Sequence, residues 1–257
     1  MTSPLDRMRL DGLVAVVTGA SGGIGSAAVQ AFAEAGADIA LIGRNRPKLE
    51  RAADAARRAG RRALVVPADV TDEASVAKAR DAIRDAFGRA DILFNNAGVT
   101  SPKRIEDLSL AEWRSVVDVS LTGAFLCSRA FGPAMAEAGF GRIINMGSIL
   151  SGRGMATRTA YCAAKAGLAN FGAALAFELG PRGVTVNTVG ATVIVTDLNR
   201  DLIRTQPELY DGVRARSAVG RLGETEDVTG TLVFLASRAA SFITGQTIYV
   251  DGGYTAG

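Results

Sequence analysis

Tyr161-Cys-Ala-Ala-Lys165 places a phenol and an ammonium four residues apart. On a helix, positions i and i+4 share a face, so both groups would point the same way. A free phenol has a pKa of about 10 and is a poor base near neutral pH. A neighbouring cation favours the phenolate and would lower that value, which suits the pair to moving a proton on or off an oxygen. Upstream, Ile143-Ile-Asn-Met-Gly-Ser148 ends an apolar run with a hydroxyl aimed at the same edge.

A second group of residues suits phosphate. Leu13-Val-Ala-Val-Val-Thr-Gly-Ala-Ser-Gly-Gly-Ile-Gly25 reads as a strand, a glycine-rich turn and a helix start. Gly19, Gly23 and Gly25 let backbone come close to a pyrophosphate, and the helix opening near Ile24 offers unpaired N–H groups at its positive end. Farther on, Ile42-Gly43-Arg44-Asn45-Arg46 follows a second apolar run. An NAD site of this layout would put a carboxylate there for the ribose 2′-hydroxyl. This chain has none, and Arg44 could pair with a 2′-phosphate, so NADP(H) is expected in preference to NAD(H).

These groups need elements to position them. Apolar runs fall at Leu13–Val17, Asp38–Ile42, Ala63–Val66, Ala90–Phe94, Arg142–Met146, Val184–Val189 and Thr247–Val250. Between them Ile24–Ala35, Pro47–Ala59, Asp72–Phe87, Leu110–Ala138, Ala160–Leu179 and Glu226–Ser237 have helical length and composition. Such alternation predicts an α/β fold, a Rossmann-type doubly wound parallel sheet of about seven strands flanked by helices. At 257 residues it is expected to form one domain, 1–257. The polar stretch 196–223, which holds Pro207, breaks the rhythm; it would overhang the carboxyl edge of the sheet as a substrate lid.

Composition narrows the function. The formal net charge is only +3 and the basic residues are scattered, which argues against a nucleic-acid partner. With no histidine and two cysteines, Cys127 and Cys162, no metal site is expected; reduced cysteines fit a cytoplasmic protein. No run is long and apolar enough to span a bilayer, so no membrane partner is expected.

With these motifs in order, the sequence resembles the short-chain dehydrogenase/reductase family, in its subgroup of about 250 residues that includes ketoreductases of the 3-oxoacyl-[acyl-carrier-protein] type. Thr18-Gly-Ala-Ser-Gly-Gly-Ile-Gly25 matches its cofactor turn, which assigns Gly19, Ser21, Gly23, Ile24 and Gly25 to the cofactor. Asp69-Val70 resembles its adenine contact, and Asn95-Asn96-Ala97-Gly98 the motif that steadies the sheet and lines the cofactor. The closing strand matches at Ile243-Thr-Gly-Gln-Thr-Ile-Tyr-Val-Asp-Gly-Gly253. The resemblance implies an oxidoreductase moving hydride between NADP(H) and a ketone or secondary alcohol. Ser148 would hold the carbonyl oxygen and Tyr161 would give it a proton, while Lys165 would bond the nicotinamide ribose and keep the phenol acidic. It also implies a homotetramer, or a dimer.

Two departures from that family lie near the nicotinamide. Ser120 replaces an asparagine that holds a relay water, which predicts an altered proton relay. After the sixth strand, Ala191-Thr192 stands where the family has Pro-Gly, ahead of Val193, Ile194 and Thr196, so that loop is expected to be rebuilt. Ile194 and Thr196 would still touch the cofactor. The substrate wall is expected from Ile149, Leu150, Met155, Ala191, Thr192, Val193 and the lid residues Leu198 and Leu202. It is mainly apolar and favours a hydrophobic or mixed ketone, unless Arg200 and Arg204 of the lid turn inward toward an anion. Two further readings stay open: an NADP(H)-binding sensor or scaffold with little turnover, and a reductase acting on imines.

Overall fold

Val14–Thr18 is five residues long and every one is buried, as a strand covered on both faces requires. In the computed structural model, which describes residues 3–197 and 199–257, it forms β1. Leu198, expected in the substrate wall, lies outside the described residues. The chain continues through α1 (Gly23–Glu34), β2 (Asp38–Gly43), α2 (Arg46–Arg58), β3 (Ala63–Pro67), α3 (Glu73–Phe87) and β4 (Ile92–Asn95). Then come α4 (Leu110–Val117), α5 (Gly123–Glu137), β5 (Gly141–Met146), α6 (Thr159–Leu179) and β6 (Val184–Ala191). Helices α7 (Arg200–Thr205), α8 (Glu208–Arg216) and α9 (Thr225–Ala236) precede β7 (Thr247–Val250).

The strands make one seven-stranded parallel sheet in the order β3-β2-β1-β4-β5-β6-β7. Its two faces separate by residue parity, because successive strand side chains point to opposite sides. Val16, Ala40, Leu93 and Ile143 pack under α3 and α5, whose Val76, Ile83, Phe131 and Met135 complete that layer. Val17, Leu41, Phe94 and Ile144 face the other way, onto Phe32 of α1, Leu49 of α2 and Leu232 of α9. The rings of Phe32 and Phe94 meet edge to face with centroids 6.2 Å apart.

Local signals start and stop the helices. Asn45 accepts the Lys48 N–H at 3.0 Å to begin α2, with Pro47 in its first turn. Asp72 caps α3, and Gly88 ends it at φ 75°. The stretch expected as one helix over Leu110–Ala138 is instead divided: Asp118–Thr122 forms a turn of π-helix between α4 and α5. A π turn inserts an extra residue into the helical ladder and redirects the side chains around it, here including Ser120.

Strand order reverses between β1 and β4, so the crossovers on either side leave a crevice at the carboxyl ends of the strands. The glycine turn, Asn96 and Ser148 all follow strands that end there.

Candidate active site

The crevice opens into a cleft of about 790 Å³. One end is built by the glycine turn. Gly19 has φ 62°, and a Cβ there would lie 2.9 Å from Ala97 Cα, so both conformation and space demand glycine. Asn96 closes the turn, its side-chain amide donating to the carbonyls of Thr18 and Gly19, each at 3.1 Å. The N-cap of α1 is Gly22, with no side chain over the helix end, so the first N–H groups face the cleft beside Ser21, Gly23 and Ile24. Gly25 does not line the cleft. It lies beneath the turn, where a Cβ would come within 2.3 Å of the Gly19 carbonyl oxygen.

Arg44 follows β2 and lines the same end, with Lys48 one helical turn on. Asp69 and Val70 form the floor. The Asp69 carboxylate accepts the N–H and hydroxyl of Thr71 at 2.9 and 2.8 Å. Those bonds, with a smaller contribution from Arg44, hold it below the usual carboxylate range. A turn that only glycine fits, a helix end without a side-chain cap and two cations make a cradle suited to a dinucleotide.

At the other end Ser148 leaves β5, buried, and its Oγ accepts the Leu150 N–H at 3.2 Å. Tyr161, in the first turn of α6, lines the cleft beside it, and Lys165 follows one turn later on the same face. Lys165 is buried; its Nζ donates to the Met146 carbonyl at 2.6 Å and stands 5.5 Å from the Tyr161 ring centroid. Burial lowers the ammonium to about 8. The expected lowering of the phenol by Lys165 is not what the geometry produces. Burial raises the Tyr161 phenol above its ordinary value, and the groups opposing that rise are the Ser148 hydroxyl first and the Arg158 guanidinium second. Desolvation outweighs them because the phenolate, not the phenol, is the form that loses water.

Gly98 joins the two ends. A Cβ on it would lie 3.5 Å from both Lys165 Nζ and Ser120 Oγ. Ser120 itself lies behind the lining; its hydroxyl is buried and has no hydrogen-bond partner within the protein. The small glycine therefore leaves a pair of polar atoms facing one small region.

The loop after β6 takes a defined form without the Pro-Gly pair. Strand β6 runs on through Ala191, which is buried, and Ile194 forms an isolated parallel bridge to Gly223. Asn199 ties the loop down, its Nδ2 donating to the Ile194 carbonyl and its Oδ1 accepting the Thr196 N–H. Ile149, Leu150, Met155, Ala191, Thr192, Val193, Ile194 and Thr196 all line the cleft, as do Ala97 and Gly98.

Leu202 does not line it; α7 turns that side chain outward, 41% exposed. Ile203 is the least exposed residue of α7, and Arg200 and Arg204 also face solvent and pair with Asp197 and Asp201. From this segment the cleft receives Tyr210 and Val213 of α8 instead, and Tyr254 from the C-terminal turn. Sequence reasoning missed these, along with Lys48, Asn199, Thr100 and Arg158. Helical spacing from Tyr161 pointed to Arg158, three residues earlier; no local pattern marks the others.

Elsewhere, burial pushes the Cys127 thiol up to about 12, so this cysteine is a packing residue. No helix among the described residues is long and apolar enough to cross a membrane.

A family model described as enoyl-(acyl carrier protein) reductase matches residues 19–255. The chain is 42% identical to a D-threitol dehydrogenase of Mycolicibacterium smegmatis, over 96% of this chain and 94% of that protein. It is 43% identical to a cis-4-hydroxycyclohexanecarboxylate dehydrogenase of Sinomonas cyclohexanicum, over 95% and 96%. Among solved structures, a gluconate 5-dehydrogenase from Burkholderia cenocepacia in complex with NADP and tartrate superposes with a TM-score of 0.94 at 33% identity, covering 99% of this chain and all of that one.

Proposed function

We infer that this chain, which belongs to the short-chain dehydrogenase/reductase family, interconverts a ketone and a secondary alcohol with NADP(H), using Tyr161 as the acid and base. The observation that carries this reading is the meeting of Ser148, Tyr161 and Lys165 at one end of a cleft whose other end is a phosphate cradle. Relatives named as dehydrogenases of hydroxyl compounds support it.

The glycine turn and the end of α1 would bind the pyrophosphate, Arg44 and Lys48 a 2′-phosphate, and Asp69 with Val70 the adenine. Asn96, Ala97, Gly98, Ile194 and Thr196 would line the nicotinamide half, with Lys165 bonding its ribose. When bound, the nicotinamide supplies or accepts the hydride. Ser148 orients the substrate oxygen and stabilises charge that develops on it. Tyr161 transfers the proton at that oxygen, and the Lys165 ammonium stabilises the phenolate left behind. Ser120 would pass protons onward to solvent through water near Gly98. Segment 196–223 would close over the substrate through Tyr210 and Val213 of α8. The apolar residues Ile149, Leu150, Met155 and Val193 would hold the body of the substrate.

Assembly as a homotetramer or dimer belongs to the same proposal, supported by Phe125 and Phe177, which α5 and α6 leave exposed. Light scattering tests it.

The first test is loss of NADPH absorbance with a panel of ketones and 3-oxo-esters, with NADH and Tyr161→Phe in parallel. The expected result is turnover that prefers NADPH and falls about a thousandfold or more in the variant, with the fold unchanged by circular dichroism. Tight NADPH binding with no turnover on any carbonyl or imine would favour a sensor or scaffold instead.

A further inference from the structure

Thr157 has φ 65°, the one non-glycine residue with positive φ among those described and a conformation rarely adopted by a β-branched side chain. Its carbonyl accepts the Lys103 N–H at 3.0 Å, which holds the loop in that shape. The next residue, Arg158, is the N-cap of α6 and half-buried. It stands one turn before Tyr161, and both line the cleft. Its Nη1 donates to the Thr100 hydroxyl at 3.1 Å. A neutral hydroxyl orients the guanidinium and leaves its charge uncompensated.

The surroundings give that charge a purpose. Asp69 is the one carboxylate lining the cleft among the described residues, and it lies at the phosphate end. Met155, whose carbonyl accepts the Arg158 N–H at 3.2 Å, and Thr100 are the neighbours of Arg158, and the apolar Leu150 and Ile149 line the same cleft. A cation beside apolar side chains in a partly desolvated cleft is a receptor for a planar anion on an apolar body, because a guanidinium presents paired N–H donors that match a carboxylate.

We propose that Arg158, steadied by Thr100, is the specificity-determining residue for a carboxylate on the substrate. The substrate class is then a hydroxy or oxo acid in which the reacting carbon meets Tyr161 while a carboxylate on an apolar body reaches Arg158. This rests on the reading above for which atom reacts, but the binding of the anion is separable from turnover. The outward pairing of Arg200 and Arg204 leaves this role to Arg158.

The test is calorimetry on the protein saturated with NADP, using cyclohexanecarboxylate and cyclohexanecarboxamide, neither of which has a group to oxidise or reduce. Wild type is expected to bind the carboxylate about tenfold or more tightly than the amide, and Arg158→Gln to abolish that preference without weakening the amide. Arg158→Lys, which keeps the charge, should retain most of the preference, and guards against a variant that fails for want of folding. In turnover, Arg158→Gln should raise KM for 4-oxocyclohexanecarboxylate about tenfold more than KM for its ethyl ester, with any change in kcat that passes through Tyr161 shared by the two. Equal affinity for acid and amide in wild type, or an unchanged preference in Arg158→Gln, overturns the proposal. A drop in kcat on acid and ester alike, with no selective rise in KM for the acid, would also overturn it, making Arg158 a positioning residue for Tyr161. Selective carboxylate binding with no turnover of either ketone would uphold the anion site while removing the proposed reaction.

Discussion

The phenol of Tyr161 and the ammonium of Lys165 are both shifted toward their neutral forms by burial, one upward and the other down to about 8. Reduction needs the proton on Tyr161 and the charge on Lys165 that stabilises the phenolate left behind, so its kcat/KM is expected to fall as pH rises through about 8, where Lys165 loses that charge; a pH profile checks this. The same shift has a stability consequence. Between about 8 and the ordinary lysine value of 10.5 the unfolded chain binds a proton that the folded chain has released. Lys165 therefore contributes stability that grows with pH through that window and is absent below it, where a buried ammonium is a cost. Lys165→Met should raise the melting temperature near neutral pH by an amount equivalent to about 1–3 kcal/mol, while activity collapses. A lower melting temperature in the variant would show that the bond to the Met146 carbonyl outweighs desolvation.

At the scale of elements, the carboxyl edge is shaped by places where backbones nearly touch. A Cβ at Gly25 would come within 2.3 Å of the Gly19 carbonyl, a backbone atom that cannot rotate away. Gly25→Ala should thus push α1 off the turn, costing about 1–3 kcal/mol by denaturant unfolding and weakening NADPH binding more than ketone KM. The π turn at Asp118–Thr122 is a second such device, since it puts the Ser120 hydroxyl behind Gly98 and Lys165. The third is the tie between Ile194 and Gly223, which gives the loop after β6 its shape without proline.

Across the whole molecule, the cleft divides its charges. Arg44, Lys48 and Asp69 gather at the end nearest β2 and β3, and Arg158 and Lys165 at the end nearest β5 and α6. Binding a ligand along that length links the two halves of the sheet, so NADPH should stabilise the entire fold. At about a hundred times its dissociation constant the gain is about 2.7 kcal/mol, seen as a rise in melting temperature. Removing both cations in Arg44→Ala/Lys48→Ala should erase most of the rise with NADPH and leave any rise with NADH unchanged. Equal loss for both nucleotides would mean that these cations bind the pyrophosphate.

Sequence alone determined the strands, their parallel, doubly wound arrangement and the groups at their carboxyl ends, because buried parallel strands and glycine turns depend on local periodicity and on backbone conformation. The place of Ser148, Tyr161, Lys165 and Arg44 along one cleft was legible for that reason. The sign of the phenol's shift was not, since it is a sum over desolvation and charges brought together from separate segments. Nor was the outward face of α7, or the arrival of Tyr210, Tyr254 and Thr100 at the cleft. Arg158 shows the division most clearly: helical spacing puts it near Tyr161, but only the left-handed turn at Thr157 and the hydroxyl of Thr100, 58 residues away in the chain, decide where its charge points.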